Sequence, residues 1–420
     1  MVRGSRCQLN HGEHRYSFRV FTLVDSNCRH AFVALIFRVP VQSLYCHVPF
    51  CASKCSYCAF FSHAPDGETV DRFLAGLVRE LELVADDLTP KTIFFGGGTP
   101  SILNLRQWET LLEAMRRLGL DGAEEWTVEC NPATVSADKA KLLREGGVTR
   151  ISMGVQSLDE DLLDRLGRVH SRAMVFKSYD ILRNAGFERL NLDLMFAIPS
   201  QTMPVWQDTL RETIAMQPEH LSCYEVIYEQ DTPLYEQLQA GEFDVQEELA
   251  CDMFEELVRV AGEEGFHQYE VANFGRHLGG GAFEIPDEAC RHNINYWRGG
   301  DYHGLGPSAT GYVGGVRTTN VCNTTAYCES LENGERAIDQ TEELEPMKRA
   351  GEMAAFGLRM NAGWPFEAFE RATGFDLRDE WGETMEMLVE QGQGVQESEG
   401  FRLTPQGLRF ADAAGAEFLR

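Results

Sequence analysis

No stretch of this sequence is long and apolar enough to cross a bilayer. Its runs stop well short of the roughly 20 apolar residues that a spanning helix needs, and Ala31–Pro40 is interrupted by Arg38. That segment also precedes the cysteine run too closely to be a cleaved leader. Basic charge is scarce: 38 Lys and Arg face 65 Asp and Glu, for a net charge of −27. This excludes a nucleic-acid grip built on clustered cations and fits a soluble protein with an acidic surface and local basic pockets. Internal repeats, low-complexity tracts and marks of secretion are lacking. The 12 cysteines therefore read as thiols of a reducing, cytoplasmic compartment, not as a disulfide framework that a large domain has no need of. Acidic residues are nearly missing from residues 1–43, where six Arg face only Glu13 and Asp25, so this segment is near +4 and the rest near −31. Such a start fits an organellar transit segment, or a disordered extension or a start assigned too far upstream.

What is present is enough for a folded core: 420 residues at 43% hydrophobic content support one large domain and a smaller one. Short β-rich runs at Leu44–Val48, Thr92–Phe95, Thr127–Cys130, Arg150–Met153, Arg189–Met195 and His220–Val226 alternate with amphipathic stretches at Val70–Ala85, Leu105–Leu118, Ala137–Glu145, Arg172–Ala185 and Val205–Met216. Six βα units in series predict a parallel sheet with right-handed crossovers, in an α/β fold closer to a full or partial (β/α) barrel than to a doubly wound sheet. The Gly-rich stretch Gly275–Pro286, with Gly279–Gly281, reads as a loop. After about Glu345 a helix at Glu380–Gln391, a hairpin over Gly392–Thr404 and a helix over Pro405–Leu419 capped by Thr404 predict a small α-rich or winged-helix-like domain. The expected division is thus an extension (1–43), a barrel (44–275), a connection (276–344) and a terminal domain (345–420).

The densest chemistry is Cys51, Cys55 and Cys58, spaced C-x3-C-x2-C after a short apolar run. Three thiolates can hold three corners of a four-iron cluster and leave the fourth iron open to a small molecule, where four cysteines would leave a cluster able only to pass electrons. Zinc would need a fourth ligand. Cys46 lies on the preceding strand, His47 points to that strand's other face, and the second half of a zinc module is lacking.

The turn Phe95-Gly96-Gly97-Gly98-Thr99-Pro100-Ser101 follows the second strand, and its glycines allow close backbone approach to a ligand. Glu129 ends the third strand, Gln156 and Ser157 end the fourth, and Asp193 lies within the fifth. A carboxylate inside an apolar strand is costly unless paired or liganded, with Arg168 and His170 as candidate partners. A structural ion pair and a ligand site both satisfy that requirement. Cys290-Arg291-His292-Asn293-Ile294-Asn295-Tyr296-Trp297 could flank a flat aromatic ligand, with His292 as an axial iron ligand or an ordinary hydrogen-bonding residue.

Taken together, Tyr-x-His-x-Pro-Phe before the cysteines, Gly-Gly-Gly-Thr-Pro-Ser, Gly-Val-Gln-Ser with Leu-Gly-Arg-Val-His, Asn-Leu-Asp-Leu-Met and Arg-His-Asn-x-Asn-Tyr-Trp-Arg-Gly-Gly-Asp-Tyr resemble radical S-adenosylmethionine (SAM) enzymes of the oxygen-independent coproporphyrinogen oxidase group. Within it the match is closest to HemW-type haem chaperones and covers about Leu44 to Arg420. The resemblance implies a partial (β/α) barrel of the radical SAM type. Cys51, Cys55 and Cys58 would ligate a [4Fe–4S] cluster whose open iron chelates SAM. Tyr45, Tyr57, Gly97, Gly98, Thr99, Glu129, Gln156, Arg168 and Asp193 would line the SAM site, with Ile227 as an apolar wall, and His292 would ligate haem. The oxidase branch carries a fourth cysteine where this chain has Phe60, and residues 1–43 do not resemble that branch's N-terminal segment. The implied function is therefore haem binding and transfer to an acceptor haem protein, such as a respiratory one, without coproporphyrinogen oxidase activity. It leaves room for homodimerisation and peripheral membrane contact. Cys46 replaces a usual β-branched residue.

Overall fold

The computed structural model describes residues 3–11, 14–23, 32–277 and 283–420, with side chains from Val39 onward. Gly279–Gly281 lie outside the described residues. Where described, the N-terminal extension is not structureless: β1 (Arg3–His11), β2 (His14–Leu23) and β3 (Phe32–Arg38) pair as an antiparallel meander. Of the three readings offered for this stretch, a disordered extension is the one these strands do not match, and its β-branched and aromatic residues suit strand.

The six expected βα units are all there. Strands β4 (Val41–Val48), β5 (Leu88–Gly97), β6 (Glu125–Cys130), β7 (Arg150–Gln156), β8 (Arg189–Phe196) and β9 (His220–Glu225) run parallel in sequential order. Their connections carry α1 (Gly67–Val84), α2 (Leu105–Arg117), α3 (Ala137–Glu145), α4 (Glu160–Arg165), α5 (Arg172–Asn184) and α6 (Met203–Ala215), followed by α7 (Pro233–Gln239) and α8 (Glu247–Glu263). The helix starts are set by local chemistry. Asp66, Asn104, Ser136, Asp159 and Ser171 each accept a first-turn N–H, and Asn104 and Gln107 form a reciprocal capping box.

Two further pieces close the sheet. A hairpin of β10 (Phe266–Gln268) and β11 (Asn273–Arg276) adds antiparallel to β9, and after α9 (Arg291–Trp297) the short β12 (His303–Leu305) adds parallel to the free edge of β4. The result is nine strands in the order β10-β11-β9-β8-β7-β6-β5-β4-β12. Residues expected as a separate connection thus supply a strand of the barrel. Next come β13 (Thr310–Val313), β14 (Val316–Asn320), α10 (Thr324–Glu332) and β15 (Ile338–Glu343), with the three strands in one antiparallel sheet.

Each barrel strand divides by period 2. Cys46, Val48, Ile93, Phe95, Trp126, Val128, Ile151, Met153, Leu190, Leu192, Leu221 and Cys223 are buried in the main apolar core. The alternate positions, including Ser43, Tyr45, His47, Thr92, Glu125, Thr127, Glu129, Ser152, Asn191, Asp193, His220 and Ser222, line a polar lumen. Register places Glu129, Ser152, Asn191 and His220 in one row, with Asp193 and Ser222 in the next.

One buried acid ties the closing strand to the barrel. Glu80 of α1 is 0% exposed. It accepts from Gly306 N–H (2.9 Å), Asn320 Nδ2 (2.9 Å), Tyr327 O–H (2.8 Å) and Arg336 Nε (3.1 Å).

The C-terminal part has its own apolar core, built by α11 (Pro346–Gly357), β16 (Trp364–Pro365), α12 (Phe366–Thr373), α13 (Leu377–Glu390), β17 (Gly394–Gln396), β18 (Gly400–Leu403), α14 (Pro405–Arg409) and α15 (Ala411–Ala416). The expected hairpin is present and Thr404 caps the next helix, accepting from Gly407 N–H at 3.0 Å. The single helix expected over Pro405–Leu419 is two short ones. Phe410 leaves helical geometry at φ −117°, ψ 29°, and its N–H turns to Gly407 O in a tighter i−3 bond. Among the described residues no helix is long and apolar enough to cross a membrane.

Candidate functional site

Strand β4 leads into the cysteine loop, whose base is closed by backbone bonds from Cys51 N–H to His63 O (3.0 Å) and from His63 N–H to Pro49 O (2.9 Å). Its centre is strapped to the barrel wall. Ser56 N–H donates to Leu166 O at the end of α4 (3.0 Å), and Leu234 N–H of α7 donates to Ser56 O (2.8 Å). Cys51, Cys55 and Cys58 are free and partly exposed, whereas Cys46, Cys130 and Cys223 are buried. Cys51 Sγ lies 3.4 Å from Thr99 Oγ1, and Arg168 Nη1 donates to Cys55 Sγ at 3.4 Å.

Among the described residues no three His, Cys, Asp or Glu side chains converge on a point where one metal ion could sit. Cys46 offers no fourth thiolate. It faces α1, and burial, followed by the charge of Glu80, raises its pKa well above the usual thiol value.

The glycine turn forms the facing wall. Gly98 N–H donates to Val48 O (2.9 Å) and Thr99 N–H to Phe50 O (2.7 Å), stitching the turn to the chain just before Cys51. A Cβ on Gly98 would stand 2.7 Å from both of those carbonyl oxygens, and one on Gly97, already at φ +99°, would stand 2.3 Å from His47 Nδ1. A side chain at either position would push the two walls apart.

The strand-end polar residues gather at the same mouth. Glu129 accepts from Gly97 N–H at 3.2 Å. Burial, and then the charge of nearby Asp193, push its carboxyl up to about 8. Burial also pushes Asp193 up, to about 6, against the pull of bonds from Asn191 (2.7 Å) and Ser152 (3.3 Å to Oδ1, 3.2 Å to Oδ2) and the charge of Arg168. At neutral pH the pair thus holds one proton, mainly on Glu129. Gln156 sits at φ +67° where the β7–β8 ladder slips register, a local irregularity of the kind found beside binding sites. Arg168 Nη2 donates to Gly154 O at 2.5 Å, so one guanidinium joins β7 to Cys55.

His170, expected as a carboxylate partner beside Arg168, is not one. It is buried, its Nε2 lies 3.1 Å from Val155 O, and burial with the Arg168 charge holds its pKa down at about 4. Tyr45 reaches His47 Nδ1 (3.1 Å), and His47 Nε2 reaches Phe61 O (2.9 Å). Tyr57 packs with Leu162, Leu166 and Val226 under the loop. Ile227 and Phe60 stand exposed, at 66% and 68%.

Sequence reasoning did not single out a buried chain that ends on Asp193. Cys290 N–H donates to Tyr269 Oη (3.2 Å), Tyr269 Oη meets His220 Nε2 (2.9 Å), His220 Nδ1 meets Asn191 Oδ1 (2.6 Å), and Asn191 Nδ2 donates to Asp193. Burial holds the His220 pKa well down, so the ring is neutral. With Tyr269 donating to Nε2, every bond in the chain points toward the carboxylate and favours its charged form. The only sequence signal was the period-2 recurrence of polar residues along β8 and β9.

His292 is placed apart from the cysteines, near the N-terminal ends of β5 and β6. It is 1% exposed. Its Nδ1 lies 2.9 Å from Thr92 Oγ1, its Nε2 lies 2.7 Å from Tyr296 Oη, and its ring stacks on Phe94 at 5.4 Å. The Glu125 carboxylate caps α9 by accepting from Arg291 and His292 N–H at 3.0 and 2.9 Å. Burial pulls the His292 pKa down to about 3. Both ring nitrogens are engaged in this conformation, and ligation of iron would require α9 to release the ring.

Comparison with known proteins agrees with this geometry. The model of the radical SAM superfamily matches residues 45–213, and that of the HemN C-terminal domain matches residues 344–410. The haem chaperone HemW of Bacillus subtilis is 33% identical over 385 residues, spanning 90% of this chain and 99% of its own. The chain belongs to the HemW family. HemW of Escherichia coli is 38% identical over 66% of this chain and 71% of its own length. The solved structure of E. coli coproporphyrinogen III oxidase (HemN), described as a radical SAM enzyme, superposes with a TM-score of 0.77 over 90% of both chains at 20% identity, which speaks to the fold.

For this HemW-family chain the radical SAM fold implies a [4Fe–4S] cluster and SAM, and the residues fit both. The donor set is three accessible thiols with O–H and N–H donors beside two of the sulfurs, and the Gly97–Gly98 turn leaves backbone room that any Cβ would fill. Cys51, Cys55 and Cys58 would hold the cluster, while Glu129, Asp193, Gln156 and the glycine turn would hold SAM. Together the two groups supply one-electron chemistry. The chain's own part is to fix the loop, to keep Arg168 against Cys55, and to keep one proton on the Glu129–Asp193 pair.

That proton has a measurable consequence. A carboxyl whose pKa is raised on folding adds stability that is full below the unfolded value and is lost as pH rises through the folded one. Without ligands the protein is expected to lose stability between about pH 5 and pH 8. Denaturant titrations of Glu129→Gln should show that loss reduced by roughly 1–3 kcal/mol, a figure discounted for the part of the carboxyl open to the mouth. An unchanged pH slope would refute the buried-proton assignment.

Proposed function

We propose that this chain binds haem and passes it to an acceptor haem protein, with a [4Fe–4S] cluster and SAM in the barrel mouth. The observation that carries the reading is the near full-length likeness to proteins named haem chaperone, 33% identical over 99% of the Bacillus subtilis protein. Phe60, exposed and apolar where the oxidase branch carries a fourth cysteine, supports it. The competing reading, oxidative decarboxylation of coproporphyrinogen, has behind it a structural likeness at 20% identity, and coproporphyrinogen oxidase activity is not part of our proposal. The ten cysteines whose side chains are described are all free, in keeping with a reducing compartment such as the cytoplasm. We further propose a respiratory haem protein as acceptor, reached through peripheral membrane contact, and a homodimer as the working state.

His292 is our candidate axial ligand, available once α9 opens away from Thr92 and Glu125. Haem titration followed by absorbance, then transfer to an apo-acceptor, tests both statements. Purified protein is expected to bind haem and release it to the acceptor, and His292→Ala is expected to bind it at least tenfold more weakly, the loss of one ligand bond. If His292→Ala keeps full haem affinity and loses only stability, the ring is a packing element of the barrel and the ligand lies elsewhere.

A further inference from the structure

We propose that Arg349 and Arg317, at the end of a tyrosine row leading away from α9, form a subsite for a carboxylate group, the chemistry that a porphyrin propionate presents. This deepens the haem-holding reading and rests on it.

The row is a product of strand pairing. Tyr302 and Tyr312 exchange both backbone bonds, Tyr302 N–H to Tyr312 O at 2.7 Å and the reverse at 2.9 Å. Tyr312 pairs with Arg317 across β13 and β14, and Arg317 pairs with Glu342 across β14 and β15. Directly opposed residues of an antiparallel ladder share one face, so these four side chains stand side by side. At the near end the Tyr302 ring lies 4.5 Å from Tyr296, the residue that holds His292 Nε2. At the far end Tyr312, Gly315, Arg317, Glu342, Leu344 and Arg349 ring a shallow surface dimple that is open to solvent and encloses no cavity.

Charge in the depression is unbalanced. Arg317 is neutralised twice, by Glu342 and by Glu352 of α11 (2.6 Å). Arg349 has no carboxylate within 4.0 Å among the described residues. The uncompensated guanidinium thus sits directly beside a bridged one. It is also held in place. The two-residue β13–β14 turn uses Gly314 and Gly315 at φ +62° and +86°, as such turns require, and a Cβ on Gly315 would stand 2.6 Å from Arg349 Nη1. The guanidinium therefore rests against the turn through Nη1. Burial raises the pKa of Tyr312, which remains an O–H donor beside it. Asp301, the other acid near Tyr312, is engaged by Gly314 N–H at 2.9 Å. A guanidinium presents paired N–H donors that match a carboxylate, which makes arginine well suited to such a group.

The test compares protohaem with protohaem dimethyl ester, which keeps the macrocycle and iron but carries no carboxylate. Wild-type protein is expected to bind the free acid roughly tenfold or more tightly than the ester, the worth of one charge-assisted hydrogen bond. Arg349→Gln should bind the two alike, and Arg349→Lys should keep part of the preference. Equal wild-type affinity for acid and ester, or an undiminished preference in Arg349→Gln, overturns the subsite and leaves the haem-holding reading intact. No binding of either porphyrin by wild type removes both.

Discussion

Cys55→Ser is expected to give colourless protein that folds normally. Anaerobically reconstituted wild type should carry about four irons per chain and a broad visible absorption, as a cluster on three cysteines requires. The variant should carry well under one. Among the described residues the other thiols of the parallel strands cannot take over: Cys46 faces α1, and Cys130 and Cys223 are buried on the outer face of their strands. The loop itself is held by backbone bonds at Cys51, Ser56 and Leu234 that the substitution leaves in place. The thermal midpoint of cluster-free protein should therefore stay within a few degrees of wild type, the shift that up to about 1 kcal/mol produces in a chain of this size. Wild-type iron content in Cys55→Ser would reject the ligand assignment.

Glu80→Ala is expected to be the most damaging single substitution outside the site. Removing the carboxylate leaves the partly buried Arg336 without its ion-pair partner and also orphans donors on Gly306, Asn320 and Tyr327, the last two of them buried. Losing one side of a buried charged network costs roughly 3–5 kcal/mol, a large share of a typical folding free energy. Urea unfolding monitored by tryptophan fluorescence should show it. Glu80→Gln, which can still accept two bonds, should recover part of the loss. A decrease under about 1 kcal/mol would mean that the network contributes no more than an exposed ion pair.

Much of this was legible in the sequence because the signals were local. Ala137–Glu145 has the same limits in sequence and structure, since Ser136 caps its start and Gly146 ends it. Strand positions followed from apolar runs, and Glu129 and Gln156 could be placed at strand ends and Asp193 within the fifth strand because each interrupts an otherwise apolar run. What could not be read depends on distant pairing. The edge position of β12 is set by three residues with no pattern of their own. The link from His220 to Asp193 passes through Asn191, a residue on another strand. His292 showed its chemistry in the sequence but not its burial, which comes from Phe94, Thr92 and Tyr296 meeting around it. Nor could the break at Phe410 be foreseen, because helix propensity alone would have carried the helix through.

The pairing of β12 with β4 also fixes an order of events during synthesis. Strand β4 is among the first barrel elements to leave the ribosome, yet the partner for its outer edge, His303–Leu305, emerges only when nearly three quarters of the chain has been made. Until then the strand that carries the cysteine loop has a bare row of backbone donors and acceptors, the kind of edge that invites wrong pairing. Contacts this distant in sequence form late, because the loop between them must first be closed. Assembly of iron and sulfide on the loop therefore meets a finished support only after β12 has been made, and a nascent chain of this family stays exposed to mispairing until then.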